Sequence, residues 1–203
     1  MSLFRRVADR ALEQPLVYRA WQAPFASAKL RPFLRHANLP QVRRVLDVGC
    51  GPGTNARAFE RVDYVGIDIN PDYIATASRR FKGQFLVGDV ADEQVLPDER
   101  FDCVFANSLM HHLPDAVVSS LLSRMSRLST PDGHVHVLDL VLPDSASPAR
   151  ALARLDRGQF ARPLAAWRRL FTEHMQEEHL ELYPLGLPGL PLWWMVYFKG
   201  VRR

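Results

Sequence analysis

From Val42 onward, short apolar blocks alternate with longer mixed stretches. VRRVLDVG (42–49), YVGIDI (64–69), FLVGDV (85–90), FDCVFANS (101–108) and HVHVLDLVL (134–142) have the length and β-branched content of strands covered on both faces. The stretches between them carry helix signals. GPGTNARAFE (51–60) reads as a turn opening a helix. A second helix starts at Asn70-Pro71, where Asn70 caps and Pro71 takes the first helical position. A third runs from about Asp115 to Leu128, followed by the turn Thr130-Pro131-Asp132-Gly133. Strands that alternate with helices predict a parallel sheet with right-handed crossovers.

Both ends depart from this rhythm. Residues 3–37 read as two helices, broken near Pro15 and bent near Pro24 or Pro32. Near the other end, PLAAWRRLFTEH (163–174) reads as a helix. HLELYPL (179–185) and LWWMVYFKG (192–200) flank a Gly/Pro-rich link and predict an antiparallel pair closing one sheet edge. The block Trp193, Trp194, Tyr197 and Phe198 fits a strand covered on both faces better than a lipid-facing patch. The expected organisation is an N-terminal helical lid over 1–40 and a single compact unit over 41–203.

Composition narrows the function classes. The chain has 203 residues, 47% hydrophobic and 24% charged, with enough apolar material for one sizeable core. No apolar run reaches the length of a membrane span, and the first residues lack the apolar block of a secretory signal. The two cysteines, Cys50 and Cys103, are too few for a disulfide scaffold or a cysteine zinc site. A soluble, cytoplasmic protein is the expectation. The net charge of +4 is uneven, because residues 1–44 hold nine basic side chains against Asp9 and Glu13. Such a segment fits a solvated helix face better than an attractor of an anionic partner.

The segment LDVGCGPGTN (46–55) carries the chemistry. A buried strand runs directly into Gly49, Cys50, Gly51, Pro52 and Gly53, the kind of turn that brings backbone against a ligand at the carboxyl end of a first strand. The spacing is G-x-G-x-G, with Thr54 after Gly53, so the third glycine of the dinucleotide fingerprint is missing. No P-loop pattern occurs. Asp68 ends the second strand, where a carboxylate takes both ribose hydroxyls, and Asp89 with Val90 ends the third, placed for an adenine amino group. A lone strand-end aspartate equally serves a turn or a cap; several aimed at one crevice point to a nucleoside-type cofactor.

DVGCGPGTN, VGIDIN, GDV, FDCVFANSLMHHLPD and PDGHVHVLDL, in that order over about residues 40–142, resemble the successive motifs of class I S-adenosylmethionine-dependent methyltransferases. The resemblance implies an α/β fold: a doubly wound, Rossmann-like seven-stranded sheet, mostly parallel with an antiparallel C-terminal strand, and helices on both faces. It implies S-adenosylmethionine as cofactor and S-adenosylhomocysteine as product. Asp47, Gly49, Cys50, Gly51, Gly53 and Asn55 would line the methionine end; Asp68 and Ile69 would hold the ribose; Asp89 and Val90 would meet the adenine. Asn107 and Ser108 would lie beneath the sulfonium.

The acceptor is less legible. His111, His112 and Asp139 are the candidates for a catalytic base, although the two histidines equally suit packing or helix entry. His134 and His136 read as structural, and His174 and His179 as surface residues. No metal cluster is read. The fourth strand is not followed by Asn/Asp-Pro-Pro-aromatic, and neither cysteine lies on a Pro-Cys loop, so base-amine and cytosine C5 methylation are disfavoured. Tyr18, Trp21 and Gln22 in the lid, and Arg157 in the segment RLDRGQFARPLAAW (154–167), are the candidate acceptor contacts. The same segment reads either as an anion clamp or as a helical connector. The expected reaction is methyl transfer to O, N or S of a small metabolite by a monomer or homodimer, with no nucleic-acid partner. The alternatives are an RNA or protein methyltransferase and a non-catalytic cofactor-binding subunit.

Overall fold

A computed structural model describes residues 25–97, 99–156 and 158–203. Two short helices open the described chain, α1 (Ala26–Lys29) and α2 (Arg31–His36), with Pro32 in the first turn of α2. The bend expected near Pro24 or Pro32 thus falls at Leu30, between α1 and α2. There follow β1 (Arg44–Val48), β2 (Asp63–Asp68), α3 (Pro71–Arg80), β3 (Gln84–Val87), β4 (Phe101–Asn107), α4 (Asp115–Leu128) and β5 (Ser129–Val141). The chain closes with α5 (Pro148–Leu155), α6 (Leu164–His174), β6 (Met175–Leu187) and β7 (Leu190–Arg202).

The described strands form one seven-stranded sheet in the order β3-β2-β1-β4-β5-β7-β6. β1 pairs in parallel with β2 and β4, β2 with β3, and β4 with β5. β7 runs antiparallel to both β5 and β6, so it alone is reversed. The strand order reverses beside β1, and the crevice outside the carboxyl ends of β1 and β4 is where such sheets bind ligands.

The two faces bury separate cores. On one, Val118, Leu121, Leu122, Met125 and Leu128 of α4 and Trp167, Leu170 and Phe171 of α6 pack on the sheet. On the other, Phe33 of α2 and Ala153 of α5 meet Val45, Phe105, Leu138 and Tyr197. Burying each such large side chain is worth about 1.5–3 kcal/mol. The C-terminal aromatics are core: Trp193, Tyr197 and Phe198 are at most 3% exposed.

Helix ends follow the sequence signals where the capping side chain is free. Asn70 Oδ1 accepts from the backbone N–H of Asp72 at 2.8 Å and Tyr73 at 3.3 Å. Ser147 caps α5 in the same way, accepting from Arg150 N at 3.2 Å. The helix expected after the glycine turn is only a 3₁₀ turn, Ala56–Phe59. Asn55 provides no cap there. Its side chain is held by Asp47 and Asn107 instead, so the helix start is traded for the site. The C-terminal hairpin is longer than the apolar blocks suggest. Pairing runs through the Gly/Pro-rich link to Leu187↔Leu190. Gly189, at φ +75°, makes the tight turn. Pro184 is tolerated because β6 is the sheet edge.

Candidate active site

The glycine turn is shaped by sterics. Gly49, Gly51 and Gly53 have φ of +69°, +54° and +79°. A Cβ on Gly49 would lie 2.9 Å from Leu109, and one on Gly53 would lie 2.7 Å from Phe81. These two glycines let the turn pack against protein. A Cβ on Gly51 would meet no described atom within 4 Å, so that side of the turn is open.

Two carboxylates flank this turn. Asp68 Oδ2 accepts from Gly51 N and Oδ1 from Asn70 N, both at 2.9 Å. A carboxylate offers about four lone-pair sites, so capacity remains on both oxygens for a vicinal diol. Asp47 is fully buried and accepts from Tyr64 Oη at 2.7 Å and Asn55 Nδ2 at 3.2 Å, both on Oδ2. Oδ1 has no hydrogen-bond partner among the described residues. Burial pushes Asp47 up to about 7, against the hydrogen bonds from Tyr64 and Asn55. A buried acceptor atom left open is costly alone and is satisfied by an incoming donor such as an ammonium group. The glycine turn, a carboxylate with acceptor capacity left and a buried acceptor without a partner among the described residues are compatible with S-adenosylmethionine.

From Asp47 a chain of polar contacts crosses the strand ends. Asn55 Oδ1 accepts from Asn107 Nδ2 at 3.0 Å, and Asn107 Oδ1 accepts from Ser108 Oγ at 3.1 Å. Ser108 Oγ accepts from Lys29 Nζ at 3.0 Å. Ser108 holds a left-handed φ of +54°, uncommon without glycine, and its N–H donates to Leu138 O at 2.8 Å. Tyr183 Oη of β6 donates to the Lys29 carbonyl at 2.7 Å. Burial lowers the Lys29 ammonium pKa, opposed by the charges of Asp139 and Asp156. Lys29 is thus a cation delivered by the N-terminal segment to the end of β4. The sequence counted it only within the basic surplus.

His111, His112 and Asp139 lie beside this chain. His111 is 5% exposed and its Nδ1 is 2.5 Å from Asp139 Oδ1. Its Nε2 is 3.4 Å from Asp156 Oδ1. Burial pulls the imidazolium down, but the Asp139 charge and the bonds to both carboxylates outweigh it and raise His111 to about 9. Asp139 is in turn held below its ordinary value: burial raises it, and the His111 charge and bond overcome that. Asp139 Oδ2 also accepts from Met110 N at 2.7 Å. Both ring nitrogens of His111 face carboxylates, so this geometry leaves it no lone pair for a substrate proton. The His112 ring packs against it, centroids 4.0 Å apart and planes tilted by 39°. Burial, then the His111 charge, lowers His112 to about 4.

The clasp reaches into 156–163. Gly158 N donates to Asp156 Oδ1 at 2.9 Å, and Phe160 N donates to His111 O at 3.0 Å. Arg162 completes it. Its Nε donates to Asp115 Oδ1 at 2.7 Å, and its terminal nitrogens donate to the carbonyls of Met110, Phe160 and Leu113. Its guanidinium also sits 4.8 Å from the Trp167 ring centroid. Arg162, grouped in the sequence with possible anion clamps, is spent on the protein itself.

The remaining candidates divide. Asp89 lies just beyond β3, and its Oδ1 accepts from Ala91 N at 2.9 Å. Val90 is buried in the core, and Ile69 packs against it. Cys50 is 1% exposed, and burial drives its thiol far above its ordinary value. Tyr18, Trp21, Gln22 and Arg157 lie outside the described residues. His136 is buried with Nδ1 2.9 Å from Tyr197 Oη, a structural placement.

Comparisons with known proteins agree with this geometry. A family model described as a methyltransferase domain matches residues 45–133. The chain is 34% identical over 153 residues to a trans-aconitate 2-methyltransferase of Methylobacterium nodulans, covering 70% of this chain and 57% of that protein. It is 31% identical over 179 residues to a protein of the same name from Afipia carboxidovorans, covering 81% of this chain and 66% of that protein. The chain therefore spans between half and two thirds of the length of these relatives. Its fold matches an N-methyltransferase of Bradyrhizobium japonicum crystallised with S-adenosyl-L-homocysteine, with a TM-score of 0.73 at 16% identity, over 98% of this chain and 97% of that one. No described helix is long and apolar enough to cross a membrane.

Proposed function

The chain belongs to the class I S-adenosylmethionine-dependent methyltransferases, and we propose that it moves the methyl group of that cofactor to an O, N or S atom of a small metabolite. The observation that carries this is the cradle itself: Asp68 braced on Gly51 and Asn70, with a buried Asp47 whose Oδ1 has no partner among the described residues. When bound, S-adenosylmethionine supplies an electrophilic sulfonium methyl group. Asp68 holds the ribose diol, the backbone of Gly49 to Gly53 follows the methionine arm, and Asp47 takes a donor from its amino end. Asp89 and Val90 form the adenine end. Asn107 and Ser108 border the reacting carbon, with Lys29 one hydrogen bond away.

Lys29 gives the acceptor a chemical character. An ammonium at that point orients a carboxylate oxygen, itself a nucleophile that needs no base, toward the methyl group. The trans-aconitate names of the two relatives direct the same choice, a small polycarboxylic acid. His111, engaged on both nitrogens, is a positioning residue that fixes the floor of the site and the connector 156–163. Under this reading residues 1–40 are the lid of the unit 41–203, and Tyr18, Trp21, Gln22 and Arg157, which lie outside the described residues, are its candidate acceptor contacts. The two cysteines are free and buried, which suits a reducing, cytoplasmic setting. Incubation with methyl-labelled cofactor and a panel of small mono-, di- and tricarboxylic acids tests the reading. Label moving into an acid-extractable ester supports it; label entering only amines or thiols overturns the carboxylate assignment.

A further inference from the structure

A second cluster lies away from the cofactor cradle. His36 ends α2, and His179 and Glu181 stand two residues apart on one face of β6. His179 Nε2 is 3.5 Å and His36 Nε2 is 3.8 Å from the same oxygen, Glu181 Oε2. The two imidazole rings lie 4.0 Å apart. Tyr197, fully buried, forms the floor, its ring 5.8 Å from each histidine. All three residues are half-buried, and their ligand atoms lie within 4.8 Å of one another.

We propose that His36, His179 and Glu181 form a binding site for a divalent transition-metal ion of the zinc type. The separations carry the argument. Contacts of 3.5 and 3.8 Å are at or beyond the limit of a good hydrogen bond. Three atoms bound to one tetrahedral ion at about 2.0–2.2 Å lie about 3.3–3.6 Å apart, so ligand atoms already within 4.8 Å of one another need only small side-chain rotations to close on a common ion. Two imidazoles with one carboxylate are a borderline donor set that suits zinc; magnesium and calcium select oxygen ligands. Three protein ligands leave a fourth position for water. One further cation shares the oxygen, Arg35 Nη1 at 3.5 Å, and its side chain is 62% exposed, free to swing into solvent as the ion enters.

Such an ion joins the helix next to Lys29 to the sheet edge. The same strand β6 already holds the Lys29 carbonyl through Tyr183. A metal clip between points this distant in sequence closes a long loop, the case in which cross-links gain most in principle. The site owes nothing to the methyltransferase reading and stands or falls separately from it.

The test uses the full chain without a polyhistidine tag, stripped with chelator and titrated calorimetrically with zinc chloride, with magnesium chloride for contrast. One zinc per chain is expected, with a raised Tm, no magnesium uptake, and visible bands of four-coordinate cobalt when Co²⁺ is used. His36→Ala and His179→Ala should each weaken zinc by about 10-fold or more, the loss produced even by outer partners of a metal site. Glu181→Gln, which keeps the side-chain shape, should do the same and guards against misfolding of the alanine variants. No saturable zinc uptake, or uptake unchanged in these variants, overturns the proposal.

Discussion

His111 Nδ1 lies 2.5 Å from Asp139 Oδ1 inside a site where neither group is more than 6% exposed, and Asp156 faces the other ring nitrogen. The imidazolium and its carboxylates are therefore one unit that couples the end of β5, the turn after β4 and the connector 156–163. This gives stability a defined pH profile. The raised His111 pKa, about 9 against 6.5, contributes fully below pH 6.5 and is lost as pH rises through about 9. The lowered Asp139 pKa contributes above the ordinary carboxylate range near 3.8 and is lost as pH falls below it. Between pH 4 and 7 the titrations of Asp47 and His112 act in opposite directions, so the His111 contribution is read above pH 7, where urea unfolding should show stability declining up to about pH 9. His111→Gln should abolish that alkaline decline, and a decline unchanged in the variant would refute the assignment.

Arg162 should behave as a structural bolt. Arg162→Met removes a charge that Asp115 and three carbonyls share. A loss of about 2–3 kcal/mol in unfolding free energy is expected, mainly from the carbonyls left without a donor, because the Asp115 side chain is 59% exposed and the ion pair itself adds little. Affinity for S-adenosylhomocysteine, measured on the folded fraction, should change little.

The glycines separate packing from ligand approach. Gly158→Ala would put a Cβ 2.0 Å from His111 Cδ2, so it should cost about 1–3 kcal/mol in a urea melt. At Gly51→Ala the space is open but φ is +54°, so stability should fall by about 1–2 kcal/mol and S-adenosylhomocysteine affinity should fall by a larger factor. Equal losses of stability and affinity at Gly51 would mean that its open side is not the ligand side.

Lys29 is the residue to vary for the acceptor. Lys29→Met should leave S-adenosylhomocysteine affinity within about twofold while raising KM for a carboxylic acceptor by about 10-fold, as expected for one lost charged hydrogen bond. Lys29→Arg should recover part of it. A kcat loss with KM unchanged would instead give Lys29 a role in the chemical step.

Much of this was legible in one dimension because the relevant signals are local. The five parallel strands are short apolar blocks, the cofactor turn is contiguous from Gly49 to Gly53, and the cap at Asn70 needs only its next neighbours. Some strand limits moved by more than a residue or two: β3 stops at Val87, before Gly88, and β5 starts at Ser129, so the turn expected at Thr130 to Gly133 lies within the strand as an irregularity between the pairs Phe101↔Ser129 and Cys103↔His134. β6 and β7 extended through prolines because ladder pairing overrode the turn signal of Gly186 and Pro191. What stayed hidden is built from distant residues. Lys29 meets Ser108, His111 meets Asp156, and His36 meets His179 only through the sheet order. Asn55 shows the reverse case: a good capping residue by type, it is drawn into the site by Asp47 and the helix behind it shortens.

The most direct test of the central claim is a calorimetric titration of the chain with S-adenosylhomocysteine, with NAD as comparison, in wild type and Asp68→Ala. The account predicts binding of S-adenosylhomocysteine, no binding of NAD, and a weakening of about 100-fold in the variant, equivalent to roughly 3 kcal/mol of charge-assisted hydrogen bonding. NAD binding with no uptake of S-adenosylhomocysteine, or equal affinity in wild type and Asp68→Ala, would contradict it.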